Sequence, residues 1–297
     1  MRAAERGFLL LSSHMGDAQR KPLTAAQLRN LALRMQSIGK NTEDRDLSAS
    51  DLKAIGYSAD MADHILSLLA EENRLCEYLK HAQLCGCVPV TRVSEGYPLL
   101  LRKRLGLDSP GCLWVKGDAS LLRQPAVALV GSRDLKEENR AFAREVGKQA
   151  ALQGYVLISG NARGADRCAQ DSCLAAGGQV ISVVADSLQK QPLVRNVLWL
   201  SLDDFDQPFS AQRALHRNYV IHTLAELTIA AQCTLGKGGT WDGILHNLKN
   251  GWNPVCMFDD GREGTLELQN RGVQGITASD LQNLAMLSRQ NFNFMQE

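Results

Sequence analysis

Three apolar runs in this chain stop in the same way. AVALV (residues 126 to 130) ends in Gly131-Ser132-Arg133, YVLIS (155 to 159) opens into Gly160-Asn161-Ala162-Arg163-Gly164-Ala165-Asp166, and ELTIAAQ (226 to 232) leads to LGKGGTWDG (235 to 243). A short continuous apolar run suits a strand covered on both faces. Helical spacing follows each of them: Phe142, Val146 and Ala150 form one stripe after the first, residues 165 to 176 follow the second, and about 240 to 249 follow the third. QVISVV after Gly177-Gly178 and PVCMF after Pro254 supply further strands. Strands alternating with helices of this length imply a parallel sheet joined by right-handed crossovers, the doubly wound α/β class.

The N-terminal part has a different rhythm. Residues 23 to 84 are free of strand-like runs; Leu28, Leu31 and Met35 recur at helical spacing, as do Ile65, Leu68, Leu69 and Leu75. Thr24 and Ser50 stand as N-caps, and SIGK (37 to 40) and AIGY (54 to 57) read as helix-ending turns. The expected organisation is an extension over 1 to 22, a small all-helical domain over 23 to 87 of helix-hairpin-helix or SAM-like type, and the sheet domain over 88 to 297. The stretch from Val88 to Asp118 reads as a Pro- and Gly-punctuated connector with one apolar run at CLWVKG.

Composition excludes several classes. Lys and Arg number 33 against 32 Asp and Glu, a formal charge of +1, so a polyanion would have to meet a local patch and not a global field. The eight cysteines form no CxxC pair, and reduced thiols in a cytoplasmic protein are the expectation. Phe8 to Leu11 is too short an apolar run for a secretory signal, and no stretch reaches the roughly 18 to 20 apolar residues of a membrane span.

In a doubly wound sheet, ligands bind beyond the carboxyl ends of the strands, where helix N-termini present free amides. The odd turns of this sequence fall there. Gly131, Gly160, Gly164, Gly236, Gly238 and Gly239 let an anion approach the main chain; Ser132, Ser159 and Thr240 add hydroxyls, and Arg133 and Arg163 add planar cations suited to phosphate. The plainer reading, that the glycines only permit tight turns and the arginines are solvated, suits one such turn better than three in register. In FSAQRALHRNYVIHTLAE (209 to 226), Arg213 and Arg217 lie four apart on one expected helical face, with Asn218 beside them and Val220, Ile221 and Leu224 behind. The cluster suggests more phosphates than a mononucleotide carries. Dinucleotide, P-loop, hydrolase-elbow and zinc-protease patterns are all missing, and His216 and His222, six apart, do not share a helical face. No catalytic residue and no metal ligand is expected.

The order of these motifs resembles the DNA-processing protein A (DprA/Smf) family. The resemblance is carried by the helical domain, Tyr97-Pro98-Leu99-Leu100-Leu101, Gly131-Ser132-Arg133, Ser159 to Asp166, Gly177-Gly178, Arg217-Asn218, Gly236 to Thr240 and the tail EGTLELQNRGVQGITASDL, and it spans about residues 23 to 284. It implies an extended Rossmann-like fold that binds single-stranded DNA in the strand-end pocket as a homodimer. It also implies a non-catalytic adaptor without a cofactor, handing DNA to a RecA-type recombinase in transformation or controlling a partner in a defence system. Carried over by position, the DNA-phosphate residues are Arg133, Ser159, Gly160, Arg163, Gly164, Arg217, Asn218, Lys237 and Gly238, with Asp166 organising its turn and capping the following helix. Gly131, Ser132, Asn161, Gly239 and Thr240 complete the candidate set. Two departures stand out. No winged helix is expected after the sheet domain, and GKGGTWDG leans toward the PGGxGT loop of the lonely-guy phosphoribohydrolases of the same superfold. The alternative is therefore a nucleotide sensor or phosphoribohydrolase, with Asp242 as the nearest acid.

Overall fold

The computed structural model describes residues 1 to 37 and 47 to 293; the SIGK turn falls largely outside them. Five helices come first: α1 (Ala3–Ser12), α2 (Ala25–Ser37), α3 (Ala49–Ala54), α4 (Ala59–Leu69) and α5 (Glu72–Leu84). Thr24 caps α2, its hydroxyl accepting the Gln27 amide while the Gln27 carbonyl oxygen accepts the Thr24 amide. For α3 the cap is Ser48 and not Ser50 as the sequence suggests: the Ser48 hydroxyl accepts the Asp51 amide and Asp51 reciprocates, whereas the residue three beyond Ser50 is Lys53, which has no acceptor to offer. Gly56 makes the turn between α3 and α4 at φ +87°.

The rest of the chain builds one nine-stranded sheet with flanking helices. In chain order it reads β1 (Cys87–Thr91), α6 (Leu99–Leu105), β2 (Cys112–Lys116), β3 (Ala126–Val130), α7 (Glu137–Leu152), β4 (Val156–Ser159), α8 (Ala165–Ala175), β5 (Gln179–Val183) and β6 (Val197–Ser201). It continues with α9 (Ala211–His216), α10 (Asn218–Leu224), β7 (Leu227–Ala230), α11 (Gly238–Asn250), β8 (Val255–Phe258), α12 (Glu263–Asn270), β9 (Gln274–Ile276) and α13 (Leu284–Asn293). The spatial order is β1-β2-β6-β5-β4-β3-β7-β8-β9. Pairing is parallel from β6 through to β9, and β1 and β2 add an antiparallel margin. The fold is α/β, mostly parallel and Rossmann-like, behind a helical N-terminal region.

The connector of the sequence reading is thus largely structured. Tyr97 is buried with its hydroxyl on the Pro110 carbonyl, Pro98 opens α6, and Leu101 anchors that helix in the core. Alternation along β3 shows why the apolar runs have no polar face: Val127 and Leu129 pack with Phe142 and Val146 of α7, while Ala128 and Val130 pack with Val220 and Ile221 of α10 and Ile244 of α11.

The segment expected as one helix over 209 to 226 is two, α9 and α10, meeting at Arg217. Arg213 and Arg217, joined by a helical backbone bond, nonetheless send their side chains to different partners. Arg213 donates to the Pro208 carbonyl and pairs with Asp203 at 3.5 Å, while Arg217 turns inward and is 9% exposed. Its guanidinium donates to the Val183 carbonyl at the end of β5.

Candidate functional site

Strand β3 is where the winding of the sheet reverses: the chain continues from it to β4 on one side and later to β7 on the other. A crevice opens beyond the carboxyl end of such a strand. The turn after β3 (Gly131 to Arg133), the turn after β4 (Gly160 to Gly164) and the loop from β7 into α11 all end at this crevice. The sequence order thereby becomes a spatial cluster.

Two cavities share the crevice. The first, about 440 Å³, is lined by Gly131, Ser132, Arg133, Asp166, Arg217 and Asn218 and by Lys237 to Thr240 at the start of α11. The second, about 410 Å³, is lined by Gly160, Asn161 and Arg163 together with Arg133 and Arg217, which both cavities share. Of the candidate set, Ser159 and Gly164 line neither, and nor do Gly236 and Arg213 of the same turns and cluster.

Ser159 is fully buried, and its hydroxyl accepts from the Gln170 side-chain amide at 2.6 Å, which also reaches Ser182 at 3.2 Å. It supports the turn from behind and offers no hydroxyl to the crevice. Gly164 acts through space. At φ +89° it packs so closely on the first turn that a Cβ would collide with the Arg133 carbonyl oxygen and lie 2.5 Å from that of Ser132.

Asp166 organises the second turn, but not as a helix cap. It sits inside the first turn of α8, and its Oδ2 accepts the Gly160 and Ala162 amides at 3.0 Å each. Burial pushes its carboxyl up, opposed by Arg217 and by those two amides. Burial likewise lowers the Arg217 guanidinium, whose Nε has no hydrogen-bond partner. Gly160 is pinched between the two charges: a Cβ there would lie 2.6 Å from Arg217 Nη2 and 2.9 Å from Asp166 Oδ2.

The third wall is the amino end of α11. Asn218 donates to the Gly239 carbonyl at 3.2 Å and fixes the loop to α10. Lys237 stands at the N-cap position without a side-chain cap bond, so amides of the first helical turn face the crevice. Asp242 is exposed and lines neither cavity. At the outer edge Arg163 pairs with Asp134 at 3.3 Å, both well exposed, linking the first and second turns.

Phe209 and Asp186 of the second cavity and Leu215 and Ile221 of the first line the crevice without belonging to the candidate set. Phe209 carried a signal, an aromatic just ahead of a basic helix; Asp186 follows a strand without a glycine turn and carried none. His222 is buried beneath α11 and not in the crevice, bonded to Thr228 and Asn247. Among the described residues no cluster suited to a metal ion occurs, all eight cysteines are free thiols, and no helix is long and apolar enough to cross a membrane.

Comparison with known proteins matches residues 89–284 to the family model of DNA recombination-mediator protein A. The chain is 29% identical to the DNA processing protein DprA of Bacillus subtilis over 208 residues, covering 65% of this chain and 68% of that protein. It is 37% identical to its Streptococcus pneumoniae counterpart over 81 residues, 27% of this chain and 28% of that protein. The crystal structure of the pneumococcal protein superposes with a TM-score of 0.71 at 21% identity, over 96% of this chain and 98% of that one. DNA processing protein A of Helicobacter pylori, whose structure concerns its mode of binding single-stranded DNA, superposes with a TM-score of 0.57 at 24% identity, over 67% of this chain and 95% of that one.

Proposed function

Because this chain belongs to the DNA recombination-mediator protein A family, we propose that it binds single-stranded DNA in the crevice beyond β3 and acts as a non-catalytic adaptor in DNA processing. One observation carries the reading: two adjoining cavities share Arg133 and Arg217, so the cationic surface extends past the reach of one phosphate. A strand laid across both would neutralise Arg133 and Arg217 between successive nucleotides and Lys237 at one end. The phosphoribohydrolase alternative loses support from the same geometry. Its acid, Asp242, lines neither cavity, and the buried Asp166 already accepts two backbone amides.

The adaptor role extends by resemblance to a cytoplasmic homodimer that passes DNA to a RecA-type recombinase, or whose DNA occupancy controls a defence partner. Native mass spectrometry with and without an oligonucleotide reads the stoichiometry directly.

The test of binding is fluorescence anisotropy with an oligothymidylate of about a dozen nucleotides. Log affinity is expected to fall with log salt between about 50 and 200 mM, with a slope near 0.7 per neutralised phosphate. Arg133→Ala should cost about tenfold and lower the slope by roughly one phosphate's share. No shift of the oligonucleotide at low salt overturns the reading.

A further inference from the structure

The two cavities differ in wall chemistry. The first sets Arg133, Arg217 and Lys237 against one carboxylate, Asp166, and adds the amides of α11. In the second, Arg133, Arg163 and Arg217 face one lining carboxylate, Asp186, and Arg163 is also paired with Asp134. The carboxylate of the first is buried and already accepts two backbone amides, whereas that of the second is exposed. The apolar walls differ in kind: those of the first, with Leu215 and Ile221, are aliphatic, whereas Val184 and Ala185 line the second and Phe209 adds an aromatic ring with 61% of its surface exposed.

We propose that the second cavity takes a nucleobase, guanine in preference to the others, with Phe209 as the stacking face and Asp186 as the acceptor that reads the base edge. This rests on the single-stranded DNA reading above. Exposed aromatic rings beside a cationic groove stack bases without regard to sequence. Asp186 adds discrimination. It is exposed, and its Oδ2 accepts the Gln191 side-chain amide at 3.1 Å, which holds the carboxylate in place while each oxygen keeps a lone pair for a ligand. Guanine carries N1–H and N2–H side by side, and a carboxylate can accept both. Adenine and cytosine present one amino donor beside a ring acceptor, and thymine presents one N–H between two carbonyl oxygens. In each of those a lone pair faces the carboxylate.

The experiment uses the full chain and two strands of equal length, an oligothymidylate and the same strand with one central thymidine replaced by deoxyguanosine. The guanine strand is expected to bind about fivefold tighter or more, the worth of one bidentate base contact, and a deoxyinosine strand, lacking the 2-amino group, should fall between. Asp186→Ala should make the strands equal while keeping oligothymidylate affinity within about twofold. Phe209→Ala should weaken both strands and keep their ratio. Equal binding of the strands by the wild-type protein, or a guanine preference that survives Asp186→Ala, overturns the base-reading inference and leaves DNA binding standing. Failure to bind either strand overturns the DNA reading beneath it.

Discussion

Gly164 holds the first and second turns closer together than any side chain permits. Its neighbour Ala165 donates its amide to the Ser132 carbonyl at 3.2 Å, so the two walls of the crevice are joined at this point. Gly164→Ala combines a disfavoured left-handed backbone, worth about 1–3 kcal/mol, with a collision against the Arg133 carbonyl. Gly177 carries the first effect alone, since it has φ +81° and nothing within 4 Å of a Cβ, so the difference between the two substitutions isolates the second. Urea denaturation should therefore show a larger loss for Gly164→Ala than for Gly177→Ala, and only the former should weaken DNA binding, because it moves Arg133. Equal losses, with binding intact, would mean that the close approach has no role in shaping the crevice. Glycine at these turns was legible in the sequence because no other residue explains the abrupt stop of an apolar run. Ser159 was not: its direction depends on the pleat of β4 and on Gln170, eleven positions away.

At the scale of elements, the sheet was legible wherever a strand ended in a small-residue turn, and less so elsewhere. β6 (VLWLS) lacks such a turn, and β1 and β2 lie in a stretch whose prolines and glycines suggest a connector. Their place comes from antiparallel pairing onto β6, a tertiary choice that local periodicity does not encode. The inward course of the Arg217 side chain is of the same kind, since its partner, the Val183 carbonyl, lies on β5, more than thirty positions away. Behind the crevice, α10, β7 and α11 are tied by a buried polar network. His222 Nδ1 lies 3.2 Å from both Thr228 Oγ1 and the Asn247 side-chain nitrogen, and Asn247 in turn binds Asn253. Burial first, and His246 second, push the His222 pKa down to about 4. The unfolded chain takes up this proton near pH 6.5 and the folded protein does not. The stability contributed by neutral His222 is thus complete above about pH 6.5 and is lost as pH falls toward 4, about 3 kcal/mol in all. The urea midpoint should drop across that window, and less steeply in His222→Gln; parallel pH profiles of the two proteins would refute the assignment.

For the whole molecule, the decisive contact lies in residues 1 to 22, which composition alone set apart as an extension. Three consecutive leucines of α1 are buried in two different cores. Leu9 and Leu10 join Tyr78, Trp114 and Phe205 against the sheet, while Leu11 joins Leu31, Leu52 and Ile65 among the N-terminal helices. The turn after α1 is fastened to the sheet side as well, where Asp204 accepts the amides of His14 at 2.7 Å and Met15 at 3.2 Å. Arg20, buried, donates to the Leu10, Ser13 and Leu68 carbonyls and to Glu71. A run of four apolar residues was too short to announce itself in the sequence, because what it packs on is brought there by the fold. Since α1 is common to both cores, the helical region and the sheet should unfold together. Calorimetry should give one transition, and Leu10→Ala, leaving a cavity at 1% exposure, should lower stability by about 2–5 kcal/mol without splitting it. Two separate transitions in the wild-type protein would mean that residues 23 to 87 melt on their own and that α1 belongs to only one side. The same scan with an oligonucleotide bound couples this scale to the crevice: in a single cooperative unit, ligand bound beyond β3 raises the melting of the N-terminal helices by as much as that of the sheet.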